Sequence, residues 1–359
     1  MFTNTIGKQL VHKEGTKMLK KTVRSSALLA VLAFQLIVAS AAFAETKPAA
    51  ASLDDSFKST DWVAQHAKEI VLVDVRPSGD YAKGHIPGAI NIPRDKFYFG
   101  RKQTDGKEIK YDIPTQAELI DILTANGITP TTTVVAYDLD TSSYGGRFPW
   151  VLKSYGHQNA FVIDGGIDKW KDVDGRALET TVNTPTPAAK PYKIAAIGLY
   201  RSSKADVAAV IDTANGNVTK VGYVISDIRT PGEYDGSTLY DKSYDARAGH
   251  IPYAVFSEYT TFIYTDYLDA KGKSVPSSFQ KDHNVQVLKK AADLKAAFAA
   301  KGITPDKSVI NYCEGGFRSG VYTLVLLGLG FPNVSNYDGS WNEWSKQGDQ
   351  YPVSKIAGK

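Results

Sequence analysis

The sequence predicts an α/β protein built as two tandem copies of one domain, each a mainly parallel sheet flanked by helices. Ala125-Asn126-Gly127-Ile128-Thr129-Pro130, followed by Val134 to Asp138, returns as Ala300-Lys301-Gly302-Ile303-Thr304-Pro305, followed by Val309 to Cys313, at a constant offset of 175 residues. Within each copy, short β-branched runs alternate with helix-like stretches, the pattern of parallel strands joined by crossover helices. The 359 residues, 43% of them hydrophobic, are enough for two separate cores.

At the N-terminus, Lys20, Lys21 and Arg24 precede an apolar run from Ala27 to Ala39 and then Ala42-Phe43-Ala44. This three-part layout reads as an export signal cleaved near Ala44, since the run is short for a retained membrane span and a small-residue cleavage site follows it. Residues before Met18 are polar and unpatterned, as an unused upstream start would be. A periplasmic chain with no stable membrane insertion is expected. The domain reading is then signal and upstream residues over 1–44, a first domain over 45–180, a linker over 181–195 and a second domain over 196–359. The linker is marked by Thr184-Pro185-Thr186-Pro187 and Ala188-Ala189-Lys190-Pro191, which lack apolar periodicity.

In the first copy, Ile70 to Val73 and Thr133 to Ala136 read as strands, and Ala117 to Ala125 as a helix stopped by Gly127 in a left-handed cap. Gly302 stops the equivalent helix. Val73-Asp74-Val75-Arg76 recurs as Ser226-Asp227-Ile228-Arg229, and Gly84-His85-Ile86-Pro87 as Gly249-His250-Ile251-Pro252. We expect the Asp-X-Arg pairs to form buried polar networks, with His85 and His250 joined to them in structural roles. Asp164-Gly165-Gly166 with Trp170 is echoed by Asp338-Gly339-Ser340 with Trp341 and Trp344.

The formal charge of +4 is spread along the chain and suggests no nucleic-acid partner. Six scattered histidines and one cysteine offer no metal-ligand spacing, and no nucleotide loop occurs, so neither metal nor cofactor is expected. A lone cysteine cannot form an internal disulfide. Its surroundings point to chemistry rather than an inert buried thiol. After the strand Val309 to Tyr312 comes Cys313-Glu314-Gly315-Gly316-Phe317-Arg318-Ser319, then an apolar stretch from Val321 to Leu329 that reads as a helix. Strand, glycine-bearing loop and helix N-terminus together make a cradle for an anion. Such a setting lowers a thiol's pKa from about 8.5 into roughly the 3.5–7.5 range. Arg318 either pairs with an anionic substrate or ties the loop to a carboxylate. Asp138 occupies the cysteine's position in the first copy, where a vestigial loop packing against the active domain is expected.

These motifs resemble the rhodanese family over nearly the whole chain after residue 44. Asp74 to Arg76 and Gly84-His85-Ile86-Pro87-Gly88-Ala89-Ile90-Asn91-Ile92-Pro93 carry the resemblance in the first copy, and the cysteine loop carries it in the second. The resemblance implies an active second domain and an inactive first one. It also implies that Cys313 takes sulfur from a small sulfane donor and yields it to cyanide, a thiol or a protein cysteine, while Glu314, Gly315, Gly316, Phe317, Arg318 and Ser319 hold the persulfide or substrate. Two features depart from the pattern of tandem members. Glu314 stands where a basic residue or glycine usually follows the cysteine, which disfavours a dianionic donor unless the side chain turns outward. Gly232-Glu233-Tyr234-Asp235 stands where substrate-binding arginines are usual. Arg247 is a further candidate substrate contact. Two other readings are a phosphatase or arsenate reductase, whose loops place one more residue between cysteine and arginine, and a non-enzymatic sulfur carrier or docking module.

Overall fold

The computed structural model describes residues 51–103, 106–141, 144–212, 218–242, 245–264 and 285–356; the expected export signal lies outside them. The first half contains β1 (Phe57–Lys58), α1 (Thr60–His66), β2 (Val71–Asp74), α2 (Ser78–Lys83) and β3 (Ile90–Asn91). A hairpin of β4 (Phe99–Lys102) and β5 (Glu108–Asp112) follows, then α3 (Gln116–Ala125), β6 (Val134–Tyr137), α4 (Arg147–Ser154) and β7 (Ala160–Ile163). Its sheet has the order β1-β7-β6-β2-β3, with every pair parallel.

The second half contains β8 (Arg201–Ser202), α5 (Lys204–Val210), a small hairpin of β9 (Ile211–Asp212) and β10 (Val218–Thr219), β11 (Tyr223–Asp227), α6 (Pro231–Asp235) and β12 (Val255–Phe256). It continues through an antiparallel pair, β13 (Ile263–Tyr264) and β14 (Val287–Leu288), to α7 (Ala291–Ala299), β15 (Ser308–Tyr312), α8 (Phe317–Gly328), β16 (Val334–Tyr337) and α9 (Ser340–Trp344). Its parallel sheet runs β8-β16-β15-β11-β12, the same order as the first when each strand is replaced by its repeat. Segment 181–195 forms no helix or strand and lies against the first half, where the buried Tyr192 hydroxyl meets His157 Nδ1 at 2.8 Å.

Both faces of each sheet are covered, so the central strands are apolar at successive positions. Leu72, Val135 and Tyr137 point into a cluster on the outer face of the first sheet, while Val73, Val134 and Ala136 point the other way. The inner cluster is shared between halves: it joins Phe148, Trp150 and Val151 of α4 to Val321, Tyr322, Leu324 and Val325 of α8. Ile225, Ile310, Tyr312, Trp341 and Trp344 form the outer cluster of the second half. Gly127 and Gly302 cap their helices at φ +70° and +73°, as the sequence predicts. The helix after the cysteine starts at Phe317, four residues before the expected Val321, because Gly316 at φ +80° turns the chain straight into it. Phe317, Arg318 and Ser319 are therefore first-turn helix residues rather than loop.

The Asp-X-Arg elements are buried ion pairs in both halves. Arg76 Nη2 lies 2.5 Å from Asp74 and donates to the Gly84 carbonyl at 2.7 Å. Arg229 Nη2 repeats this with Asp227 at 2.7 Å and the Gly249 carbonyl at 2.6 Å. The histidines do not join these pairs as expected. His85 and His250 donate from Nδ1 to the carbonyls of Tyr81 and Tyr234 and stack on those rings, which fixes their tautomer and keeps them in structural roles. In the second half, the hydroxyl of Tyr312, the residue before the cysteine, donates to Asp227 at 2.5 Å and accepts from the Ile251 amide at 3.0 Å. The Asp227–Arg229 pair thus anchors the end of the strand that presents Cys313. Both residues are at most 1% exposed, so Arg229→Met leaves Asp227 buried without its cation. Such a loss is expected to cost about 3–5 kcal/mol in a denaturant titration. A loss below about 1 kcal/mol, the range of surface pairs, would contradict the anchoring role.

Candidate active site

Strand β15 delivers Cys313 to the carboxyl edge of the second sheet, where α8 begins. A chain that surrounds an anion with amides must find partners for its carbonyls elsewhere. In this loop each carbonyl has one. The Cys313 and Glu314 carbonyls accept from the Trp341 and Asn342 amides of α9, at 3.1 and 2.9 Å. The Gly315 carbonyl accepts from Arg147 Nη1 at 3.4 Å, and the Gly316 carbonyl from Asn336 Nδ2 at 2.9 Å. The amide face is left to the sulfur: Gly316 N–H donates to Cys313 Sγ at 3.2 Å and the Ser319 hydroxyl at 3.3 Å. Gly316 is required on two counts, its positive φ and its crowding. An added Cβ would lie 2.6 Å from Arg147 Nη1 and 2.7 Å from Asp338 Oδ1.

Cys313 is 1% exposed, yet it lines a cavity of about 300 Å³. Burial pushes the thiol up. The charge of Arg318, the Ser319 hydroxyl and the amides of Ser319 and Gly315 outweigh it, and the group titrates below its ordinary value. Arg318 also forms a two-pronged ion pair with Glu233, at 3.0 and 3.3 Å. Arg318 therefore ties the loop to a carboxylate, the second of its two sequence readings, and it also lines the cavity. Glu233 additionally accepts from the Thr230 amide and hydroxyl as the capping box of α6.

Glu314 does not turn outward. It is 4% exposed, and neither carboxyl oxygen has a hydrogen-bond donor in good geometry among the described residues. Burial, reinforced by the Asp245 carboxyl, pushes it well above the usual carboxylate range, with Arg229 offsetting part of the effect. The shift favours the neutral acid, which would not repel a dianion. Arg247 does not reach the site. Its guanidinium donates to the carbonyls of Ser345, Trp344 and Tyr351 at 2.8, 2.8 and 3.0 Å, which makes it a clamp for the chain after α9.

The Asp138 loop packs against the second half as expected, but the residues that make the contact were not singled out. Arg147, wholly buried, crosses to the cysteine loop and pairs with Asp338 at 2.9 Å. Tyr111 of β5 and Tyr144 of the Asp138 loop join Tyr240 and Tyr259 in lining the cavity. Ser340 was also missed. It accepts from the Cys313 amide at 3.3 Å while its backbone sits at φ +53°, where the first copy has Gly166 at +58°. Its place in the repeated Asp-Gly-Gly/Ser motif was the available signal. Among the described residues no cluster of His, Cys, Asp or Glu could hold a metal ion, and no helix is long and apolar enough to cross a membrane.

The fold and this cradle define a duplicated α/β protein in which one copy builds an anion-holding cysteine loop. The rhodanese-like domain model matches residues 59–173 and 210–347, and the chain belongs to that family. It is 30% identical over 283 residues to the thiosulfate sulfurtransferase of Pseudomonas aeruginosa, covering 79% of this chain and 90% of that one. It is also 30% identical over 297 residues to the sulfur carrier protein TtuD of Thermus thermophilus, covering 80% and 92%. Among solved structures, the anaerobic ergothioneine biosynthesis enzyme from Chlorobium limicola shares the fold, with a TM-score of 0.66 at 21% identity over 84% of this chain and 70% of that one.

Two measurements test the electrostatics. Alkylation of Cys313 by iodoacetamide, followed against pH, is expected to reach half its maximum rate below the roughly 8.5 of a free cysteine, and Ser319→Ala to move that midpoint upward. A midpoint at or above the free value would refute the cradle. Glu314 binds its proton more tightly folded than unfolded, so above its ordinary pKa of 4.5 the native chain holds the extra proton and stability declines as pH rises. Glu314→Gln cannot ionise, and its melting temperature is expected to fall less than the parent's between about pH 5 and about pH 8. An equal or steeper fall would show that Glu314 is not the protonated group.

Proposed function

We propose that the chain is a sulfurtransferase that moves a sulfane sulfur from thiosulfate, polysulfide or a similar donor through a persulfide on Cys313 to a thiol, a protein cysteine or cyanide. The observation that carries this reading is the buried Sγ held by the Gly316 amide and the Ser319 hydroxyl, in a residue that lines a cavity together with Arg318. The relative named thiosulfate sulfurtransferase supports it.

In the first half-reaction, the thiolate attacks the outer sulfur of the donor. A Cys313 S–S bond forms, the donor's S–S bond breaks, and the leaving group departs with the electron pair; from thiosulfate it is sulfite. The outer sulfur then lies about 2 Å beyond Sγ and carries the negative charge, which the loop amides and the first turn of α8 stabilise without reorganising. In the second half-reaction an acceptor attacks that outer sulfur, and the Cys313 thiolate is the leaving group. Cyanide gives thiocyanate; a thiolate gives a new persulfide. The low thiol pKa assists both halves, since it supplies the attacking thiolate and makes it a good leaving group.

A carrier role is favoured by one specific observation, the similarity to a protein named as a sulfur carrier. One experiment addresses both readings. Incubation with thiosulfate or polysulfide, followed by intact-protein mass spectrometry, is expected to add the mass of one sulfur atom, and Cys313→Ser to add none. Steady-state thiocyanate release with cyanide then marks an enzyme, whereas a pure carrier discharges once. Absence of the added sulfur with every donor would refute the persulfide itself.

A further inference from the structure

Of the peptide units in the cysteine loop, the one between Gly315 and Gly316 has the least local restraint. Turning a peptide over changes only ψ of the residue before it and φ of the residue after it, and here both are glycines, which meet little steric barrier. The orientation matters to the sulfur because the N–H and C=O of a trans peptide point opposite ways. As the chain stands, the Gly316 N–H donates to Cys313 Sγ at 3.2 Å. Turned over, the same unit would aim the Gly315 carbonyl at the sulfur and replace a donor with an acceptor. The glycines that let the loop curl therefore leave one of its donors to be fixed from outside.

The guanidinium of Arg147 is what fixes it. Nη1 donates to the Gly315 carbonyl at 3.4 Å and lies 2.9 Å from Asp338 Oδ1, while Nη2 donates to the Tyr111 carbonyl at 2.5 Å. At 3.4 Å the bond to Gly315 is long, so its strength depends on how firmly the guanidinium is held. Rings add to that hold: Cζ is 4.4 Å from the Phe317 centroid and 5.5 Å from that of Trp150. Phe317 follows Gly316 directly, so Arg147 meets the chain on both sides of the turn. The Phe317 ring is itself seated edge-on among Tyr98, Tyr111 and Tyr144, at 5.3, 5.3 and 4.6 Å, and all three belong to the first half.

We infer that Arg147, a residue of the copy without the cysteine, is a positioning residue for sulfur transfer: it keeps the Gly315–Gly316 peptide turned so that its N–H meets the sulfur of Cys313. Arg147 is not among the residues that line the cavity, so it acts through the loop rather than on the donor. Loss of the Gly316 amide would withdraw a donor from the thiolate and, after loading, from the persulfide anion. The effect on turnover rests on the sulfur-transfer reading above; the effect on the thiol does not.

Arg147→Lys keeps a charge beside Asp338 but replaces the fork with one ammonium, which cannot serve both carbonyls in the same geometry. The pH midpoint of Cys313 alkylation by iodoacetamide is expected to rise by about one pH unit, the scale of one charge-assisted hydrogen bond. With thiosulfate or polysulfide as donor and cyanide as acceptor, kcat is expected to fall about tenfold or more, with KM for the donor little changed. Because Arg147 is wholly buried, Phe317→Leu serves as a second variant: it frees the guanidinium from its ring at a half-buried position and is expected to raise the midpoint by a smaller step. Arg76→Met, which breaks a buried ion pair confined to the first half, is the control for lost stability, and its melting temperature is expected to fall with the midpoint unmoved. An unmoved midpoint in folded Arg147→Lys overturns the inference. Should that variant not fold, an unmoved midpoint in Phe317→Leu overturns it, and so does a shift in Arg76→Met as large as theirs. If no donor loads Cys313, the sulfur-transfer reading fails, and the alkylation midpoints still decide whether Arg147 sets the loop.

Discussion

The site depends on one constraint: the carbonyls of the cysteine loop must be held away from the sulfur. A peptide carries donor and acceptor on opposite edges, so four successive units can turn amides inward only if four acceptors are satisfied outside. The chain meets this with groups from separate places: two amides at the start of α9, Asn336 of β16, and Arg147 from the other half. Unmade hydrogen bonds in so buried a place cost about 1–3 kcal/mol each, enough to reorient a peptide unit. The sulfur therefore meets donors because the surroundings leave the loop no other low-energy arrangement. Arg318 then adds charge to a geometry already set.

The same constraint explains why the two halves are built into one another. Ile113, just after β5, donates its amide to Asp338 of the second half at 3.1 Å; Leu288, at the equivalent position 175 residues later, donates to Asp164 of the first half at 2.9 Å. Each copy extends a two-stranded arm onto the Asp-Gly motif of the other. The exchange is reciprocal in the backbone but not in its chemical consequence. On one side it places Tyr111 over the cysteine loop and brings Asp338 into an ion pair with Arg147. On the other it closes a loop that contains no thiol. Together with the shared apolar cluster of α4 and α8, this makes the first half part of the site's support.

Periodicity and repetition made the fold legible. The offset between Gly127 and Gly302 located both caps, both strands that follow and the equivalence of Asp138 with Cys313. Burial on both faces is what makes such strands readable, because successive apolar residues are all required. Local context likewise exposed the cradle from Cys313 to Ser319. The packing of the Asp138 loop on the second half was expected, but the individual contacts between distant segments were not legible. Nothing near Arg147 indicates that its guanidinium crosses to Gly315, and nothing near Arg247 indicates that three carbonyls occupy it. The environment of Glu314 was hidden for a related reason: a sequence shows a carboxylate but not the desolvation and the second carboxyl, Asp245, that raise its pKa. The helix start was misplaced because Phe317, Arg318 and Ser319 look like loop residues until Gly316 is seen to turn the chain.

The divergence of the copies can be followed at a single position. Asp138 sits at the end of β6 as Cys313 sits at the end of β15, and it too faces amides: Leu139 donates to one carboxylate oxygen at 2.8 Å and Tyr144 to the other at 3.3 Å. Burial raises this acid to about 6, against the pull of those amides, so it remains mostly ionised at neutral pH. The first copy has kept an anion in a nest of donors, but the anion is its own side chain and cannot be exchanged. That loop, its cradle filled from within, places Tyr144 at the cavity of the second copy before Arg147 opens α4 against the cysteine loop. Both loops thus solve the same electrostatic problem at a strand end. In the first copy a carboxylate occupies the donors, whereas in the second a cysteine sulfur does.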